Sequence, residues 1–168
     1  QFNACPEAGA SPWEFNPVLL EQLSWGYTVF PAPRHQGLIY GNTTRFALPR
    51  PPSFNEDVSD KPAWYRNSRM SAANIDCLQK NYWRRLESLL GIDELVGSVD
   101  LALSQKQVRS NTIVIFTSDN GFMLGEHRQL HKGQAFEESI RVPLIIGYPG
   151  TGGARTISQL VLNNDLAP

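Results

Sequence analysis

The chain has 168 residues, 41% of them hydrophobic, enough for one sizeable core or a large piece of a bigger domain. Fifteen Lys and Arg against sixteen Asp and Glu leave a net charge of -1, which excludes a global attraction for nucleic acid or for an anionic membrane; any anion site must be local. No apolar run approaches the roughly 18 residues of a membrane span, and residues 1–30 lack the basic-then-apolar order of a secretory leader. The chain starts without methionine and stops at Asn163-Asn-Asp-Leu-Ala-Pro168, where a further element is about to begin, so a piece of a longer protein is the expectation.

Residues 1–63 are rich in proline and glycine, with Pro31-Ala-Pro33 and Pro49-Arg-Pro-Pro52 as breakers, and read as long loops laid over a domain. Asn42-Thr-Thr44 is a potential glycan acceptor, a triplet that also arises by chance. Cys5 and Cys77 have no metal-type spacing, and a buried thiol is expected for Cys77 in preference to a disulfide. From about Ser71 to Gln107, Leu86, Leu89, Ile92, Val96, Val99 and Leu103 recur at spacings of three and four and predict the buried face of a helix, which Gly91 would divide in two. Arg84, Arg85, Glu87, Asp100 and Lys106 then read as its solvated face.

Thr112 to Phe116 is β-branched and apolar and predicts a central strand buried on both faces; Val142 to Ile146 predicts a second, with Pro143 near its start. A short helix is expected around Gln134–Ser139, and a turn over Gly147-Tyr-Pro-Gly150 with Gly152-Gly153. Helix, strand, loop, short helix and strand together predict an α/β domain with a largely parallel sheet. Sites in such sheets open at the carboxyl ends of strands, where Ser118-Asp-Asn-Gly121 lies.

Asp119-Asn120-Gly121 has two readings: an ordinary turn, or a seat for a hard cation, to which Asp119 offers a carboxylate and Asn120 a carbonyl oxygen. Glu126, His127, Arg128, His131, Lys132 and Arg141 follow closely, a polar concentration that a purely structural loop does not need. Lys132 is either a surface charge or, beside a metal, a group that stabilises a sulfate or phosphate oxygen. His127 and His131 share a helix spacing but are bracketed by Gly125 and Gly133, and offer too few nitrogen ligands for zinc. Glu137, Glu138 and Arg141 are expected to form local ion pairs.

Several of these segments together resemble the type I sulfatases: Ile113-Val-Ile-Phe-Thr-Ser-Asp-Asn-Gly121, Leu124-Gly-Glu-His127, His131-Lys-Gly133 and Phe136-Glu-Glu-Ser-Ile-Arg-Val-Pro-Leu-Ile-Ile146. The resemblance extends back through Leu86 to Val96 and forward to Pro168. Pro31-Ala-Pro-Arg-His35, Pro51-Pro-Ser-Phe-Asn-Glu56 and Asp60-Lys-Pro62 are similar to the arylsulfatase and N-acetylglucosamine-6-sulfatase branch. Residues 31–168 thus resemble the central-to-late part of a sulfatase catalytic domain, and 1–30 match poorly.

The resemblance implies an alkaline-phosphatase-like α/β fold, here incomplete, with a largely parallel sheet flanked by helices. It implies hydrolysis of a sulfate ester on a small molecule or sugar, with Ca2+ and a formylglycine nucleophile, in a secreted, periplasmic or lysosomal protein. Asp119 and Asn120 match the second pair of calcium ligands, and Lys132 matches the lysine that contacts a sulfate oxygen.

The departures are specific. The nucleophile motif, Cys or Ser, any residue, Pro, any residue, Arg, is absent: Pro6 directly follows Cys5, and Glu7 and Gly9 stand where proline and arginine belong. The early pair of aspartates is missing, and Ser24-Trp-Gly-Tyr27 replaces the expected Pro-His-any-Pro. The chain by itself is therefore expected to be inactive. Two other readings stand beside the sulfatase: a phosphodiesterase or phosphonate hydrolase of the same superfamily, against which Asn120 argues, and a remnant without catalysis that acts as a binding protein.

Overall fold

A computed structural model describes residues 29–150 and 153–166. Most of the poorly matching 1–30 segment, with Cys5 and Ser24 to Tyr27, lies outside the described residues, as do Thr151, Gly152, Ala167 and Pro168.

One long helix, α1, runs from Ala72 to Gln105. Ser71 starts it with a reciprocal cap: its Oγ accepts from the Asn74 backbone N–H at 3.2 Å, and Asn74 Oδ1 accepts from the Ser71 N–H at 3.0 Å. Gly91 does not divide it. A single glycine costs a helix only about 1 kcal/mol, and the His35 ring packs over this one, 3.8 Å from where a Cβ would stand. No helix among the described residues is long and apolar enough to cross a membrane.

The buried side of α1 differs from the expected stripe. Leu89, Ile92, Val96 and Val99 are exposed, whereas Glu87 is the most deeply buried residue of the helix and Arg84 is also buried. The reason is hydrogen bonding to the proline-rich segment. Gln79 Oε1 accepts from the Leu48 N–H, while Gln79 Nε2 and Trp83 Nε1 both donate to the Phe46 carbonyl. Glu87 Oε1 accepts from the N–H groups of Ile39 and Tyr40 at 3.0 and 2.9 Å. Glu94 binds both Arg34 and His35, with His35 Nε2 2.7 Å from Glu94 Oε1. Side chains at 79, 83, 87 and 94 lie along one side of the helix and supply the partners that an irregular segment cannot find within itself. From residue 29 to residue 62 the expected loops are present, with a short 3-10 turn at Pro33–His35 and another just beyond, at Ala63–Tyr65.

The core sits beneath these loops. Leu48, Met70 and Leu78 form it, with Phe54, Ile75, Tyr82, Leu124 and Leu130 packed around them. Cys77 is buried, as expected, but it is disulfide-bonded rather than a free thiol.

Strand β1 (Val114–Thr117) leads into the Asp119 turn, a small hairpin of β2 (Met123–Leu124) and β3 (Leu130–His131), the single-turn helix α2 (Glu137–Ile140), and β4 (Leu144–Gly147). The two described sheets are each two-stranded and antiparallel, β1 with β4 from Val114↔Gly147 to Thr117↔Leu144, and β2 with β3. This corrects the expectation of parallel pairing for these strands. A parallel neighbour requires the chain to travel back along the sheet before re-entering. Here α2 is only four residues long, and Gly121 N–H donates to the Ser139 carbonyl, so β4 enters at the end where β1 leaves. Nor are β1 and β4 covered on both faces: Ile115, Phe116, Ile145 and Ile146 are exposed.

Candidate functional site

The turn after β1 is held from three directions. Ser118 Oγ donates to the Asn120 carbonyl at 2.9 Å, and Asn163 Nδ2 donates to the carbonyls of Ser118 and Asp119 at 3.1 and 3.2 Å. Gly121 closes it: an added Cβ would lie 2.2 Å from the Glu138 carbonyl oxygen, so α2 packs directly against this backbone. The sequence pointed to the turn, but Asn163 lies forty-odd residues away and only the fold brings it here.

The three residues singled out for chemistry do meet. Lys132, one residue beyond β3, places Nζ 3.0 Å from Asn120 Oδ1 and 3.6 Å from Asp119 Oδ2. The Asp119 and Lys132 side chains are 80% and 59% exposed, so this ion pair contributes little to stability. Asp119 Oδ1 is engaged by the Asn120 N–H at 3.0 Å, and Asn120 Nδ2 donates to the Gly121 carbonyl, which aims the amide oxygen at Lys132.

Asp119 Oδ2 and Asn120 Oδ1 are hard oxygen donors of the kind calcium takes. They fit part of a calcium shell, two of the six to eight oxygens that ion takes. Among the described residues, no group of three or more His, Cys, Asp or Glu side chains is gathered to hold a metal.

The polar concentration after the turn divides into site and scaffold. Glu126 is buried and Oε2 accepts from the Leu124 N–H at 2.6 Å. His127 Nδ1 lies 2.5 Å from Glu56 Oε1, and its ring stacks on Phe136 with centroids 4.2 Å apart. Arg128 Nε donates to the Glu56 carbonyl at 2.6 Å. These residues fasten the hairpin to the loop before α1, a structural use the sequence did not reveal. His127 and His131 both have positive φ, +52° and +78°, and lie on no common helix. Glu137 pairs with Arg141 at 3.8 Å as expected, whereas Glu138 reaches Ser53 and His127 instead.

Arg85 is a further contributor missed from sequence. Its guanidinium carbon stands 3.8 Å from the Phe122 ring centroid, Phe122 meets His131 edge-on at 6.0 Å, and the buried Arg85 Nε has no hydrogen-bond partner among the described residues. Burial pushes the Arg85 guanidinium below its ordinary range. Burial, and then the nearby Arg85 charge, lowers the His131 imidazole. Arg85, Phe122 and His131 thus tie α1 to the two segments that present Asn120 and Lys132. A hollow of about 750 Å³ lined by Arg109, Ser110 and Tyr148 lies at the opposite end of the β1–β4 sheet, away from these groups.

Comparison with known proteins bears directly on this arrangement. The family model described as Sulfatase matches residues 38–168. An arylsulfatase of Volvox carteri is 35% identical over 160 residues, covering 92% of this chain and 25% of that protein. An N-acetylglucosamine-6-sulfatase of Bos taurus is 32% identical over 123 residues, covering 71% of this chain and 22% of that protein. A solved Bacteroides fragilis protein assigned to the sulfatases, yidJ, superposes with a TM-score of 0.55 at 30% identity, over 74% of this chain and 24% of its own. The chain spans about a quarter of the length of the curated relatives it matches.

Proposed function

This chain belongs to the sulfatase family, with an alkaline-phosphatase-like fold, and on that premise we propose that the full-length protein hydrolyses a sulfate ester carried on a sugar. The proposal assigns Asp119 and Asn120 to a calcium ion and Lys132 to a sulfate oxygen. One observation supports it above the rest: Lys132 Nζ lies within 3.6 Å of an oxygen of each proposed metal ligand. An anion drawn to a cation at those oxygens is then within reach of the ammonium group. When bound, calcium supplies Lewis-acid polarisation of the ester oxygens.

The remaining work falls to the chain's own residues. Lys132 exchanges its bond to Asn120 for one to the anion and neutralises charge that grows in the transition state. Asn163 and Gly121 hold the turn in place, so little reorganisation is needed. No nucleophile motif is present in this sequence, so the attacking group comes from elsewhere in the full-length protein. The sugar rests on the resemblance to N-acetylglucosamine-6-sulfatases, at 32% identity in the bovine case.

In the full-length protein, Lys132→Ala is expected to lower kcat on an aryl sulfate on the order of a hundredfold or more, with calcium affinity by titration calorimetry not weakened and, in the absence of substrate, modestly raised because a competing cation is gone. Unchanged kcat would remove Lys132 from the reaction. The isolated 168-residue chain is expected neither to turn over nor to bind calcium tightly. Rates of the full-length protein on matched sulfate and phosphate esters separate this reading from a phosphodiesterase, and faster phosphate turnover would overturn it.

A further inference from the structure

We propose that Asn42 is an N-glycan acceptor. The proposal does not depend on the reaction proposed above; it rests on the state of the acceptor turn, with the state of Cys77 as a second observation beside it.

The first is the state of the acceptor turn. Asn42-Thr43-Thr44 is the only Asn-any-Ser/Thr triplet in the 168 residues whose middle residue is not proline. It occupies the tip of a turn in which Gly41, Asn42, Thr43, Thr44 and Arg45 are all exposed. The turn is secured at its base, where Ile39 and Tyr40 bond to the buried Glu87 carboxylate, and not at its tip. Within the turn, Asn42 uses Oδ1, which accepts from the Arg45 N–H at 3.1 Å. Nδ2, the atom that would carry the sugar, is engaged in no hydrogen bond among the described residues. A glycan on that nitrogen would leave the local bond to Oδ1 and the anchoring of the turn undisturbed.

The second is Cys77. It is buried in α1 and disulfide-bonded. Disulfides persist in secreted, lumenal or periplasmic proteins and are reduced in the cytosol of most organisms. The bond is compatible with the compartments in which, in a eukaryotic cell, Asn-any-Thr triplets are glycosylated. An exposed acceptor and an oxidised core cysteine are separate properties, and both suit such a compartment.

The transfer uses an external enzyme and a lipid-diphosphate-linked oligosaccharide as donor. The bond from the sugar's anomeric carbon to the diphosphate oxygen breaks, a bond from that carbon to Asn42 Nδ2 forms, and one amide proton leaves with the lipid diphosphate. No redox step is involved.

The test is expression of the full-length protein through a eukaryotic secretory pathway, followed by peptide mass spectrometry before and after enzymatic removal of N-glycans in heavy-oxygen water. Glycopeptides over Asn42, converted by the enzyme to oxygen-labelled aspartate, are expected. Thr44→Ala should abolish them and Thr44→Ser should retain them, while Thr43→Ala leaves them unchanged. Secreted protein whose Asn42 is unmodified overturns the acceptor assignment. Alkylation of Cys77 by a thiol reagent in denatured, unreduced protein would show a free thiol and remove the support that the disulfide gives.

Discussion

The first half of α1 is gripped by the segment from Pro33 to Met70, whereas its second half and the β1–β4 sheet present apolar side chains that no described residue covers. In the first region burial comes with specific partners: Glu87 satisfies two backbone N–H groups, Gln79 two more groups, and Leu48, Met70 and Leu78 fill the space between. In the second, Leu95, Val99, Ile115 and Ile145 are each more than two-fifths exposed, a concentration that soluble surfaces seldom leave in contact with water. Polar clamps specify one arrangement, because a misplaced loop strands buried donors. An apolar stripe specifies only that something apolar must lie on it.

Four experiments bear on that contrast. The largest effect is expected from Glu87→Ala, which leaves the half-buried N–H groups of Ile39 and Tyr40 without their acceptor and should cost about 3 kcal/mol in denaturant unfolding. A cost near zero would mean that the loop is not held as described. Ser71→Ala removes the helix cap of the same region and should cost about 1 kcal/mol. Acid should loosen the clamp at Glu94, whose carboxyl is held down at about 2 by its hydrogen bonds to Arg34 and then His35. A depressed folded-state value contributes stability that is present above the carboxyl's unfolded value near 4.5 and is lost as pH falls towards about 2. Glu94→Gln should flatten stability across that window, with a small amplitude because Glu94 is solvent-exposed. Smallest in folding energy is Ile145→Lys on the uncovered sheet, within about 0.5 kcal/mol in the isolated chain. Its readout is self-association by light scattering, which should fall; unchanged association would show that this face is not the adhesive one.

Periodicity revealed α1, and β-branched runs revealed β1 and β4, because those signals are local. Strand direction was not legible. It depends on how the chain between Ser118 and Pro143 reverses, which rests on the close approach of Gly121 to Glu138. The buried side of α1 was misread for a related reason: Glu87 and Arg84 look like solvent residues until a proline-rich segment, poor in internal hydrogen bonds, needs them. In the site, Asp119, Asn120 and Lys132 could be named from residue type and position. Asn163 and Arg85 could not, since each acts across a distance in sequence that carries no pattern.

The position of Lys132 has a thermodynamic consequence. Its ammonium group already donates to the Asn120 amide oxygen and pairs with the Asp119 carboxylate, the two groups proposed for a metal, so a divalent ion displaces a resident cation at a small cost. An anionic substrate that draws the lysine onto itself lowers that cost, and a bound ion, by freeing the lysine, lowers the cost of receiving the substrate. Linkage makes the two effects equal. Ion and substrate would each tighten the other's binding through a single side chain, with no movement required of the backbone that carries it.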